Sequence, residues 1–300
     1  MDASTAACLA RARASLDGLS VGDAFGETFV VHKSHIASRT PVPATPASPW
    51  RWTDDTAMAV SIMRELIAKG DVDEESLAKR FADTYTAEPW RGYGGTAHGI
   101  LTAIADGVWW EKAARAPFSG QGSKGNGSAM RVAPIGAYFA HDLDRAAAVA
   151  LRSAHPTHLH RDGEAGAIAV AVAAALAAKI AAGEWSRDPA EFLERIWALT
   201  PSSLTRDGIQ LAMSLKADTP VAWAASKLGN GSRVCCDDTV PLCVWLAAHH
   251  LGRYEEAMWL TVSALGDMDT NAAIVGGILA AGGATIPAEW LASRETLPPI

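Results

Sequence analysis

The sequence predicts an all-α fold: a bundle of many helices around a central Ala-rich helix, with an acidic ion site at helix starts. Three observations predict it. Apolar residues recur at spacings of three and four along most of the chain, as in "AMAVSIMRELIAKG" (57–70), which closes on a glycine stop. No run of alternating strands appears. The third is composition: 300 residues with 49% hydrophobic content supply an ample core for one domain spanning residues 1–300.

Taken in order, the periodicity predicts helices over 4–17, 56–69, 74–87, 94–106, 128–139, 144–153, 163–182, 189–198, 206–215, 219–226, 239–250, 254–265 and 270–282. "ETFVVHK" (27–33) is the one short strand candidate. "RTPVPATPASPW" (39–50) is a loop, since each proline also restricts the residue before it. "APFSGQGSKGNGS" (116–128) is a second, glycine-rich loop. "AGAIAVAVAAALAA" (165–178) is too short and too Ala-rich for a membrane span, which needs about 20 apolar residues. Small residues on every side instead place it among closely approaching helices.

A formal charge of −7 and a pI near 5.7 argue against general nucleic-acid binding, which needs a basic face. The N-terminal segment has no apolar signal core, and Cys8, Cys235, Cys236 and Cys243 form no paired spacing. A cytoplasmic, reducing setting, a monomer and no membrane partner are expected.

The chemistry concentrates in acidic helix starts. "TDDT" (53–56) carries Asp54 and Asp55 between threonines, and "DMDT" (267–270) carries Asp267 and Asp269 before Thr270. Such residues commonly cap backbone N–H groups. Brought face to face, the two turns would instead form an all-oxygen set suited to Mg²⁺, Mn²⁺ or Ca²⁺, with two ions about 3.5–4 Å apart. "CDDT" (236–239) is a rival, and pattern alone does not choose between them.

These clusters, with "GLSVGDAFGE" (18–27) and "GNGSAMRVAPIG" (125–136), resemble the ADP-ribosylglycohydrolase family, relatives of the enzyme that reactivates ADP-ribosylated dinitrogenase reductase. The motifs run in order from residue 18 to 283. The resemblance implies a compact all-α fold and a binuclear Mg²⁺ or Mn²⁺ centre. Its ligands would be Thr53, Asp54, Asp55, Asp267, Asp269 and Thr270, with Asp237 and Asp238 left as a helix start. It also implies a base or water-positioning role for Glu27, beside Asp55 at the reacting centre. The usual family glutamate stands a few residues later than Glu27. ADP-ribose would be lined by Gly125, Asn126, Gly127 and Ser128, by the Thr157–His158 pair at the diphosphate, and by Ser232 and Val234 at the adenosine. Arg131 is expected to pair with an anion or brace its helix. Trp90, Tyr93, Trp109 and Trp110 are expected to pack.

The implied activity is hydrolysis of the glycosidic bond between ADP-ribose and a modified substrate, most readily an ADP-ribosylated protein. Arginine, serine, an acetyl ester and a nucleobase are all chemically open as leaving groups, and a bacterial cytoplasm favours arginine or a toxin target. Two other readings use the same residues: an ADP-ribose-binding or immunity protein with little turnover, and a two-metal phosphohydrolase releasing AMP.

Overall fold

The computed structural model describes residues 3–30 and 45–300. These form seventeen helices and no strand. In chain order they are α1 (Ala3–Val30), α2 (Asp54–Lys69), α3 (Glu74–Ala87), α4 (Gly95–Ala105), α5 (Trp110–Arg115), α6 (Pro117–Gly120), α7 (Gly127–Met130), α8 (Ala133–Tyr138) and α9 (Leu143–Ala154). There follow α10 (Arg161–Ala181), α11 (Pro189–Leu199), α12 (Leu204–Ala212), α13 (Val221–Leu228), α14 (Cys236–His249), α15 (Tyr254–Ser263), α16 (Met268–Ala281) and α17 (Ala288–Ser293). The all-α expectation holds.

The first predicted helix does not stop at residue 17. It continues through "GLSVGDAFGETFV" to Val30, so the strand expected over 27–33 is wrong wherever it is described; residues 31–33, and 39–44 of the Pro-rich loop, lie outside the described residues. Tertiary packing overrides the weak helical propensity of this stretch. Gly18, Gly22 and Gly26, four residues apart, lie on one face of α1 and let it sink onto α16. A Cβ at Gly22 would stand 2.1 Å from Ala272 O, and one at Gly26 would stand 2.4 Å from Met268 O. Phe25 and Phe29 extend an aromatic cluster: Phe25 stacks on Trp290 at 4.4 Å, and Phe29 meets Trp259 at 5.8 Å.

The single helix predicted over 128–139 is broken into α7 and α8. Pro134 has no N–H to continue the ladder, so a new helix begins at Ala133 with the proline in its first turn. The Ala-rich α10 is the buried centre. It is long and apolar enough to cross a membrane, yet 83% of its apolar window is buried within the protein. Close approach again needs glycine: a Cβ at Gly136 would stand 1.9 Å from Ala171 O of α10.

Candidate active site

The starts of α2 and α16 face each other against α1. Thr53 caps α2, its hydroxyl accepting from Asp55 N at 3.3 Å. Behind it sits Asp23 of α1, fully buried. Asp23 accepts from Thr53 N (2.9 Å), Thr53 Oγ1 (2.9 Å), Thr56 N (3.1 Å) and Thr56 Oγ1 (2.5 Å). One carboxylate thus holds the whole acidic turn on α1. On the other side, the Thr270 hydroxyl donates to Asp55 Oδ1 at 3.4 Å, joining residues 215 apart in sequence. Gly26 packs on the backbone of Met268 and Asp269, which carries Glu27 to the edge of the same cluster.

The electrostatics follow from this proximity. Burial first, then the neighbouring charges of Asp23 and Asp269, push Asp54 and Asp55 well above the usual carboxylate range. Burial and Asp269 raise Asp267 to about 7, and the same two causes raise Glu27 to about 7. Asp55 Oδ2 is buried without a hydrogen-bond partner. No group of three or more His, Cys, Asp or Glu side chains among the described residues is already arranged as a metal site. Mutual repulsion and the orphaned Asp55 oxygen nevertheless mark a donor set that fits a hard divalent cation, all-oxygen and short of positive charge.

These carboxylates open into a cavity of about 1090 Å³. Asp54, Asp55, Asp267, Asp269 and Thr270 line it, as do Gly125, Asn126, Gly127, His158 and Val234. Four predicted site residues do not. Ser128 is buried and donates to Gly163 O at 2.7 Å, tying α7 to α10. Ser232 is exposed and bonds Asn230. Thr53 is turned toward Asp23. Glu27 also lies outside the lining.

The glycine loop pairs with the loop before α14: Gly125 bridges Cys235, and Asn126 N donates to Val234 O at 3.3 Å. Val234 holds the left-handed backbone (φ 54°), as do Phe118 (φ 54°) and Ser119 (φ 58°), a strained turn whose Phe118 also lines the cavity. Asn126 has a role the sequence did not reveal. Its amide donates to Asp267 Oδ2 at 2.7 Å and to Thr239 Oγ1 at 3.0 Å, so the glycine loop braces an acidic residue of the opposite wall. Asp23 was likewise missed as an organiser. The one available signal was a carboxylate on the small-residue face of an apolar helix.

The rival cluster is neutralised locally. Asp237 meets Lys124 (3.4 Å) and Arg233 (3.1 Å), while Asp238 accepts from Arg233 N at 2.8 Å. It stands in the first turn of α14 and clamps the loop before it. Tyr93 packs as expected. Trp90 and Trp109 do not: both are largely exposed, Trp90 in the turn that follows α3 and Trp109 just before α5.

The chain matches the family model described as ADP-ribosylglycohydrolase over residues 4–297. Human ADP-ribosylhydrolase ARH3 is 30% identical over 335 residues, covering 96% of this chain and 90% of the human protein. The ADP-ribosyl-[dinitrogen reductase] glycohydrolase of Rhodospirillum rubrum is 32% identical over 159 residues, covering 50% of this chain and 52% of that one. A solved structure, an ADP-ribosylglycohydrolase-related protein complex, superimposes with a TM-score of 0.62 at 22% identity, covering 97% of this chain and 94% of its own. That likeness speaks for the fold.

Proposed function

This chain belongs to the ADP-ribosylglycohydrolase family and is an ADP-ribosyl glycohydrolase, and from that premise we propose that it cleaves ADP-ribose from arginine of a modified protein with two divalent cations, Mg²⁺ or Mn²⁺. The observation that carries this reading is a single cavity walled on one side by two facing acidic helix starts and on the other by a glycine loop, with Asn126 spanning both.

Asp54, Asp55, Asp267 and Asp269 would hold the cations, with the threonine hydroxyls of Thr53 and Thr270 beside them. When bound, the cations would polarise substrate oxygens as Lewis acids. The chain's own groups do the rest. The N–H group of Gly127 and the His158 imidazole bind the diphosphate, so remote binding positions the anomeric carbon. The bond to the leaving nitrogen breaks through an oxocarbenium-like state. Glu27, carried to the edge of the cluster by the packing of Gly26 on Met268 and Asp269, would take a proton from the attacking water. The four free cysteines support a reducing, cytoplasmic setting.

The test is mass spectrometry of products from ADP-ribosylated arginine, serine, acetyl ester and nucleobase substrates, with and without Mg²⁺ or Mn²⁺. Release of ADP-ribose from arginine alone supports the reading, and AMP as the product sinks it. The position of Glu27 outside the cavity lining favours one alternative, a binder with little turnover. Tight calorimetric binding of ADP-ribose without product from any substrate would select it.

A further inference from the structure

Three glycine backbones enclose the His158 imidazole. A Cβ at Gly125 would lie 3.3 Å from Nε2, one at Gly127 would lie 3.1 Å from Cε1, and one at Gly163 would lie 3.1 Å from the histidine Cβ. The ring has little room to turn, and His158, Gly125 and Gly127 share one wall of the cavity. Among the described residues, Nε2 has no hydrogen-bond partner, whereas Nδ1 has one.

That partner decides where the proton sits. Arg131, fully buried, donates through Nη2 to Ser153 O and to Thr157 Oγ1, each at 2.8 Å. Thr157 Oγ1 stands 2.7 Å from His158 Nδ1. A guanidinium can only donate, so the hydroxyl accepts from it. Thr157 is 1% exposed, and its hydroxyl makes no other bond among the described residues. Its hydrogen is therefore satisfied only by donation to Nδ1. In the opposite arrangement the hydroxyl oxygen would accept from both Arg131 and Nδ1–H and strand its own buried hydrogen, which costs about 1–3 kcal/mol.

We propose that Arg131 is a positioning residue that acts through Thr157 to fix His158 as the neutral tautomer, with Nε2–H aimed into the cavity as a donor to an oxygen of ADP-ribose. The neighbouring charge points the same way. Arg131 has no carboxylate partner, rests over the Phe81 ring at 4.3 Å and leaves its Nε unpaired. A second cation one hydroxyl away would be repelled; burial and Arg131 hold the imidazole well below its usual range. The tautomer stands on geometry alone, whereas the ligand it serves rests on the ADP-ribose reading above.

The experiment uses the full chain with ¹⁵N-labelled histidine and long-range proton–nitrogen correlation spectra at pH 7, with His158→Gln identifying the signal. The expected wild-type pattern is a bare Nδ1 and a protonated Nε2. Thr157→Ser keeps that pattern. Thr157→Val yields mixed tautomers, and with saturating Mg²⁺ it weakens ADP-ribose binding about tenfold, with KM raised and kcat little changed. Arg131→Met moves the proton toward Nδ1; if that variant does not fold, the Thr157 pair carries the test. A wild-type signal from Nδ1–H or imidazolium overturns the proposal, as does a Thr157→Val spectrum identical to wild type. The stated tautomer together with no ADP-ribose binding upholds the relay and overturns the assignment of the ligand.

Discussion

Asp23 accepts four hydrogen bonds and donates none. Asp23→Asn replaces one acceptor oxygen by a donor facing donors in a fully buried place. Destabilisation of roughly 1–3 kcal/mol is expected from urea unfolding. Glu27→Gln keeps shape and loses charge, so ADP-ribose affinity should hold by calorimetry while turnover falls about 10²–10⁴-fold; wild-type turnover would remove Glu27 from the chemistry. His155 tests linkage away from the acidic cluster. Its bonds to Glu164 and Glu74 raise its pKa on folding. A raised pKa gives stability that is fully present below the unfolded pKa and is lost as pH rises through the folded one. His155→Gln should therefore lower the melting temperature at pH 6 and leave it nearly unchanged at pH 9. Because the groups are partly exposed, the effect should be about 1 kcal/mol or less. At this scale the sequence revealed what local composition encodes. Asp54, Asp55, Asp267 and Asp269 are visible as acidic helix starts. The reach of Asn126 to Asp267, 141 residues on, leaves no local trace, and neither does the turning of Ser128 into the core.

Among the helices, the tight seam between α1 and α16 sets how far Asp23 and Glu27 stand from Asp269. Gly22→Ala forces a methyl into Ala272 O and should cost roughly 3 kcal/mol or more, with loss of cooperative unfolding by calorimetry. The acidic clusters separate by a paired test. Asp269→Ala should abolish Mn²⁺ binding in titration calorimetry and raise the melting temperature in chelator, since like charges repel. Asp238→Ala should keep Mn²⁺ binding and loosen only the loop it holds through Arg233 N. The reverse outcome would move the metal site to the other cluster. Helix existence was largely legible from periodicity. The extension of α1 was not, because glycines and aromatics read as a stop and a strand until α16 and Trp290 are there to receive them.

Across the molecule, the seventeen helices of the described residues, with α10 inside, predict a far-UV circular dichroism spectrum dominated by helix; a substantial sheet signal would contradict the fold. The hydrogen bond from Thr270 to Asp55 has a temporal consequence. A ribosome makes residues 54 and 55 long before residues 267–270, at about 5–20 residues per second. Through that interval, on the order of ten seconds or more, the growing chain holds half of an acidic site, with no opposite wall, no Asn126 brace on Asp267 and no α16 for the glycine face of α1. Assembly of the acidic cluster and closure of the cavity are therefore late events in biosynthesis, and a chain stalled before α16 emerges would carry most of the helices and none of the assembled chemistry.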